Sequence, residues 1–247
     1  MTKITLLKAL LASLILATPT VQAVIIDFED FGATNFQHGT VVNTQYDSAL
    51  FGNVTISAKN ADNQGPNLAV VFDSTTPAGA TTDDDLLAPF SNATLGSLSP
   101  GNILIIQENG TGCGDGICND PDDEGARPAG TLTFAFKQAI ELISLDFFDI
   151  ETTAENNNRP GSEIRFFDDL NNELFAGSYF TPGTGGDNKW NQLAFAGITG
   201  IYKLEVNLYG SGAIDNLVYN VVPVPAAFWL FGTALIGFIG FSRRISV

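Results

Sequence analysis

The side chains best suited to chemistry in this chain are carboxylates carried on loops. Three groupings stand out: Asp73 with Asp83-Asp84-Asp85, Glu108 with Asp120, Asp122, Asp123 and Glu124, and Asp146 with Asp149 and Glu151. Adjacent carboxylates repel, so each grouping needs water or a cation around it. Oxygen donors on loops suit a hard cation, and Ca²⁺ takes about 6–8 of them in flexible geometry. Two readings stand. Either these are solvated acidic turns, or some of Asp73, Asp85, Glu108, Asp123 and Asp149 coordinate Ca²⁺. No spacing matches an EF-hand loop. Nothing in the sequence holds two acids at the separation of roughly 5–9 Å that glycoside hydrolysis requires.

A second candidate site joins Phe28-Glu29-Asp30 at the start of the body to Ile214-Asp215-Asn216 at its end. Glu29 and Asp215 are its candidate ligands. The alternative is a turn, in which Asp215 and Asn216 bond their own backbone. For sugars, exposed aromatic faces are the usual platform, and Trp190, Tyr179 and Tyr202 are candidates. Strand aromatics also read as core, and Phe (19) far outnumbers Tyr (5) and Trp (2).

Composition excludes several classes. The net charge is −16, with Asp+Glu 27 against Lys+Arg 11. Four of the cations, Lys3, Lys8, Arg243 and Arg244, lie at the two ends, where no acid occurs. The body is therefore a polyanion, which repels phosphate backbones and argues against nucleic-acid binding. His38 is the one histidine, so Ser-His and Cys-His hydrolases and His-rich zinc sites are not expected. No glycine-rich phosphate loop with a following Lys occurs.

The elements that must position these acids are strands. Period-2 alternation dominates. In Thr131–Phe136, Leu132, Phe134 and Phe136 share a face; in Ala139–Ile150, Ile143, Leu145 and Phe147 do; in Ile201–Tyr209, Tyr202, Leu204, Val206 and Leu208 do. About ten or eleven strands bounded by Gly, Asn and Pro are predicted. Alternation on most of them predicts antiparallel sheets with one wet face. The expected fold is all-β, a two-sheet antiparallel sandwich of jelly-roll type, in one domain over residues 24–222.

Both ends read as addresses. Residues 1–23 form a signal peptide: Lys3 and Lys8, an apolar run from Ala9 to Ala17, then Val21-Gln22-Ala23 before the cleavage point. Export implies an oxidising compartment. It follows that Cys113 and Cys118, five apart in a Gly- and acid-rich insertion over 108–127, form a local disulfide. At the other end, residues 223–247 begin Pro223-Val224-Pro225-Ala226-Ala227-Phe228-Trp229-Leu230-Phe231-Gly232. No charge occurs from Ala226 to Ser242, and Arg243-Arg244 follows. As a transmembrane helix those residues reach about 25 Å, the short end of what spans a bilayer. Trp229 suits an interface, and the Arg pair holds the C-terminus in the cytoplasm.

The signal peptide, Pro-x-Pro, Trp-Leu-Phe-Gly helix and terminal Arg-Arg together resemble the PEP-CTERM sorting signal of Gram-negative bacteria. Val224 stands where that motif usually has Glu. The resemblance implies an exosortase as partner, an inner-membrane-anchored intermediate, removal of the tail near Pro223–Pro225, and delivery to the cell surface or its exopolysaccharide. Within the body, Phe72-Asp73, Pro77-Ala78-Gly79, Asp84-Asp85-Leu86, Gly101–Glu108, Pro121-Asp122-Asp123-Glu124-Gly125, Leu145–Asp149 and Gly210–Leu217 resemble, in order, a module of secreted bacterial proteins. That implies a discrete module with a cation site and names no ligand. The Glu29–Asp215 pair is similar in topology to the structural Ca²⁺ site of jelly-roll carbohydrate-binding modules. The expected function is a non-enzymatic, exported surface or matrix protein, a Ca²⁺-assisted polysaccharide-binding module. The alternatives are a structural surface or biofilm component without a discrete ligand and, third, a secreted glycan-active enzyme.

Overall fold

The computed structural model describes residues 23–29, 36–61, 65–77, 81, 83–110, 112–123, 128–150 and 162–222. Alternating residues build strands here as anticipated, and fourteen strands but no α-helix occur among the described residues. They are β1 (Ala23–Ile26), β2 (Val41–Val42), β3 (Val54–Asn60), β4 (Ala69–Asp73), β5 (Phe90–Asn92), β6 (Gly96–Leu98), β7 (Asn102–Ile106), β8 (Cys113–Gly114), β9 (Ile117–Cys118), β10 (Gly130–Phe148), β11 (Ile164–Phe167), β12 (Glu173–Leu174), β13 (Trp190–Leu208) and β14 (Ala213–Val221). Ten of them form one sheet in the order β12-β11-β13-β10-β14-β7-β4-β2, with β1 on β14 and β3 on β10. Two hairpins, β5-β6 and β8-β9, stand outside it. The strand pairings are antiparallel. The described residues are thus all-β and sandwich-like.

Two strands are longer than their patterns suggest. Thr131–Phe136 and Ala139–Ile150 were expected as separate strands, yet they run together as the 19 residues of β10. The pairing of β10 with β13 shifts register between Ala135 and Ile140, between Ile140 and Glu141, and again between Leu142 and Ser144. Each shift lets the strand bend without leaving the ladder. Its first half pairs with β3 and its second half with β14, so one strand serves both layers. β13 follows it along its length, across Gly197 and Gly200, both at positive φ. The last shift also ends the alternation: Leu142 is fully buried, Ile143 half-buried, and every residue from Ser144 to Phe148 buried.

The core is double. The main cluster takes Leu132, Phe134, Leu145, Phe147, Leu204, Val206 and Tyr219. The second lies on the other face of the same strands: Val70, Phe72, Leu86, Phe90, Ile103, Ile105, Phe148 and Trp190. β7 is consequently buried at all five positions, and β4 at four. The expected wet face does not exist at this end of the sheet. The segment carrying Leu86 and Phe90 covers it, and a strand covered on both sides reads as a continuous apolar run.

The expected bond forms: Cys113 and Cys118 are joined, 2.03 Å between sulfurs, across the β8-β9 hairpin. The hairpin docks on the sheet edge. Cys118 N–H donates to Gly39 O at 2.8 Å, and Val41 N–H donates to Gly116 O at 2.8 Å. A ring this small is worth about 2 kcal/mol in the chain-entropy model. Reduction should speed hydrogen exchange in residues 112–119 while β10, β13 and β14 stay protected. Mass-resolved exchange before and after reduction checks it; loss of protection throughout the sheet would contradict a local role.

Residues 23–222 form a compact unit of their own. No helix among the described residues is long and apolar enough to cross a membrane. The signal peptide, apart from Ala23 in β1, and the whole sorting tail (Pro223, Val224, Pro225, Ala226, Trp229, Arg243 and Arg244) lie outside the described residues.

Candidate functional site

The ends of three segments deliver acids to one place. Leu86, fully buried in the second cluster, pins a 3-10 turn (Asp84–Leu86) and with it Asp85. Asp149 follows directly on β10, in left-handed backbone with φ 55°. Asp187 sits in the turn that leads into β13. Carboxylate oxygens of Asp85, Asp149 and Asp187 all lie within 4.8 Å of one another. The loops are tied together around them. Asp149 N–H donates to Lys189 O at 2.9 Å. The Asn188 side-chain amide donates to Asp85 O at 3.0 Å and Leu87 O at 2.8 Å. Thr184 N–H donates to Ile150 O at 2.9 Å.

Asp123 stands beside this cluster. Its Oδ2 accepts the Gly212 N–H at 2.6 Å and lies 3.3 Å from Ser211 Oγ. The same Ser211 Oγ lies 3.0 Å from Asp149 Oδ2. One hydroxyl proton serves only one of the two carboxylates at a time. Gly212, at φ 149°, is closely faced by Ile150 Cδ1 where a Cβ would stand.

Burial makes these charges expensive. Asp149 is 2% exposed and Asp123 3%. Asp149 Oδ1 and Asp85 Oδ1 are buried without a hydrogen-bond partner. Burial, reinforced by the neighbouring Asp85, and opposed only by the Ser211 hydrogen bond, pushes the Asp149 carboxyl up to about 8. A buried carboxylate without donors costs several kcal/mol unless it takes a proton or a cation. Three converging carboxylates, two of them with an orphaned oxygen, can hold a metal ion, and an all-oxygen donor set favours a hard one.

Of the acids expected at a metal, the structure brings Asp85 and Asp149 together, with Asp123 adjoining through Ser211. Asp73 belongs to a turn of its own, its Oδ1 accepting Thr75 N–H at 2.9 Å and Thr75 Oγ–H at 2.6 Å. Glu108 is half-buried beside the insertion, its N–H on Asp122 O at 2.8 Å. Gln107, fully buried, anchors that insertion: its amide donates to Asn109 O and Asp120 O, and its Oε1 accepts Asp122 N–H. Neither Asp187 nor Ser211 was anticipated. The signal for Asp187 was its turn, Gly185-Gly186-Asp187-Asn188, directly ahead of a strand.

Glu29 and Asp215 lie at the second location. Glu29 Oε1 accepts the Asn102 N–H at 2.7 Å. Asp215 is 1% exposed, pairs across the ladder with Asp146, and has a buried Oδ1 without a partner. Burial raises its carboxyl well above the usual range, and the charges of Asp27, Asp146 and Glu29 add to that. Among the described residues, no three acids converge here within 4.8 Å as Asp85, Asp149 and Asp187 do.

The aromatics are packed. Trp190 is 8% exposed within the second cluster, and its indole N–H donates to Gly96 O at 2.9 Å. Its ring therefore offers no open face to a sugar, contrary to expectation. Tyr179 packs edge-on against Phe166 and tilted against Phe195, with centroids 5.3 and 5.5 Å away. Tyr202 is half-buried on β13. His38 accepts the Asp73 N–H on Nδ1 at 3.1 Å, and burial lowers its basicity.

No known family model matches the chain. No curated protein matches it either.

Proposed function

We propose that this chain is an exported, exosortase-sorted surface protein whose jelly-roll body is a Ca²⁺-assisted polysaccharide-binding module. The observation that carries the reading is Asp149, buried beside Asp85 and Asp187 with an oxygen left without a donor. Ca²⁺ fits better than Mg²⁺, because the ligands come from three separate loops and Mg²⁺ demands near-ideal octahedral geometry. The cation would lock the segments around Asp85, Asp149 and Asp187 together at one end of the sheet. That gives an extracellular module a rigid binding edge without a larger core. The address at each end puts the body where polysaccharide is the abundant polymer.

A glycan array probed with the full chain in mild detergent, with Ca²⁺ and with EDTA, tests the module. Capture in Ca²⁺ that EDTA abolishes is the expected result. Absence of capture under both conditions would leave a structural surface component as the better reading. Sorting has its own test. The form recovered from the cell surface should lack residues 228–241 by intact mass. A surface form with its C-terminus intact would remove exosortase processing from the account.

A further inference from the structure

Beside the acidic cluster lies a cleft of about 430 Å³, lined by Ser91, Asn92, Ala93, Thr184, Gly185 and Lys189. The volume falls in the range of small-ligand sites. Its walls come from two segments. Ser91 and Asn92 belong to β5; Thr184, Gly185 and Lys189 belong to the turn that also carries Asp187. The two segments are joined by a bridge between Ser91 and Lys189 and by Ser91 N–H on Asn188 O at 2.9 Å.

Lys189 sets the chemistry of this cleft. Three other cations of the body are taken by carboxylates: Lys137 by Asp47, Arg165 by Glu173 and Glu205, and Lys203 by Glu205. Lys189 has no carboxylate partner among the described residues. Its ammonium donates to the Ser91 hydroxyl at 2.8 Å. Two of its three donors remain, and the Ser91 proton is free to point into the cleft. Asn92 is already spent: its amide donates to Trp190 O, and its Oδ1 accepts Thr94 and Leu95 N–H. Among the described residues the lining contains no aromatic face for stacking and no carboxylate for binding sugar hydroxyls. What it offers is a positive charge and hydroxyls.

Resting on the polysaccharide reading above, we infer that this cleft takes an acidic sugar, a uronic-acid unit whose carboxylate sits on Lys189 and Ser91. The neighbouring cluster explains why a cation would be needed. The carboxylates on the adjoining loops repel an anionic sugar, and a bound divalent cation makes that cluster less negative. Uronate binding and Ca²⁺ binding are then coupled through Asp187 and Lys189, which lie on the same turn.

The test compares a galacturonic-acid trimer with the neutral galactose trimer, titrated calorimetrically into the full chain in mild detergent at about 1 mM Ca²⁺. The acidic trimer should bind and the neutral one bind at least tenfold more weakly. Lys189→Gln should weaken the acidic trimer about tenfold, the loss of one charge-assisted hydrogen bond. Lys137→Gln, which removes a cation remote from the cleft, should leave binding unchanged. Gln can keep the contact to Ser91, and an unchanged melting temperature of Lys189→Gln confirms a folded variant. Unaltered binding of the acid by Lys189→Gln, or equal binding of the neutral trimer, overturns this inference and leaves the polysaccharide module standing. Failure to bind either trimer or any glycan of the array overturns both.

Discussion

In EDTA, raising the pH from about 4 to about 8 should steadily lower the melting temperature of the chain, and Ca²⁺ should restore it. The sign follows from Asp149. Its carboxyl is pushed up to about 8 in the folded protein, against about 3.9 in an unfolded chain. Between those values the folded state holds a proton that the unfolded state has released. Stability from this group is complete below about 4 and is lost as the pH rises to about 8. Asp215 and Asp146, both raised by burial, act in the same direction. Ca²⁺ replaces the proton. At a hundredfold excess over its dissociation constant it stabilises by about 2.7 kcal/mol. For a body of this size that is about 5–10 °C in melting temperature. Mg²⁺ and NaCl of matched ionic strength should do less.

Asp149→Asn separates site from screening. Asn tolerates the left-handed backbone and carries no charge. The variant should melt above the parent in EDTA at pH about 8, since a buried charge has gone. It should also lose the Ca²⁺ increment. Differential scanning calorimetry across pH, with each cation, reads both effects. Equal shifts from Ca²⁺, Mg²⁺ and NaCl would reduce the cluster to solvated acidic turns.

The second large effect concerns the packing beneath the site. Phe148 is fully buried, its ring edge-on to Phe90 at 4.7 Å between centroids. It immediately precedes Asp149, and Leu86 in the same cluster holds Asp85. Phe148→Ala should cost about 3–5 kcal/mol, from lost transfer and the cavity left behind. Urea denaturation should show it as a lower midpoint at unchanged slope. The Ca²⁺ increment should shrink as well, because Asp85 and Asp149 lose their common support. Leu170→Ala is the control: Leu170 is 77% exposed, and its loss should stay within about 0.5 kcal/mol. A cost for Phe148→Ala as small as the control's would mean that the second cluster is not a packed core.

The strands were legible in the sequence because side-chain period is a local property. Leu132, Phe134 and Phe136 alternate, and all three are buried. So were the two cysteines, since a hairpin of their spacing brings them together without help from distant chain. The charge excess and its concentration on loops were equally plain. Tertiary structure decided which acids meet. Asp85, Asp149 and Asp187 converge because β10 and β13 are neighbours and because Leu86 folds over the far face of the sheet. Neither fact leaves a trace in local spacing. The same pairing turned expected separate strands into two long bent ones, since bulges preserve a ladder that alternation alone would break. It also decided the fate of Trp190. A strand aromatic is exposed or buried according to what lies on the sheet face, and here the segment from Leu86 to Gly96 lies on it. Local pattern therefore dictated the elements and their charges, whereas contacts across tens of residues chose which carboxylates converge.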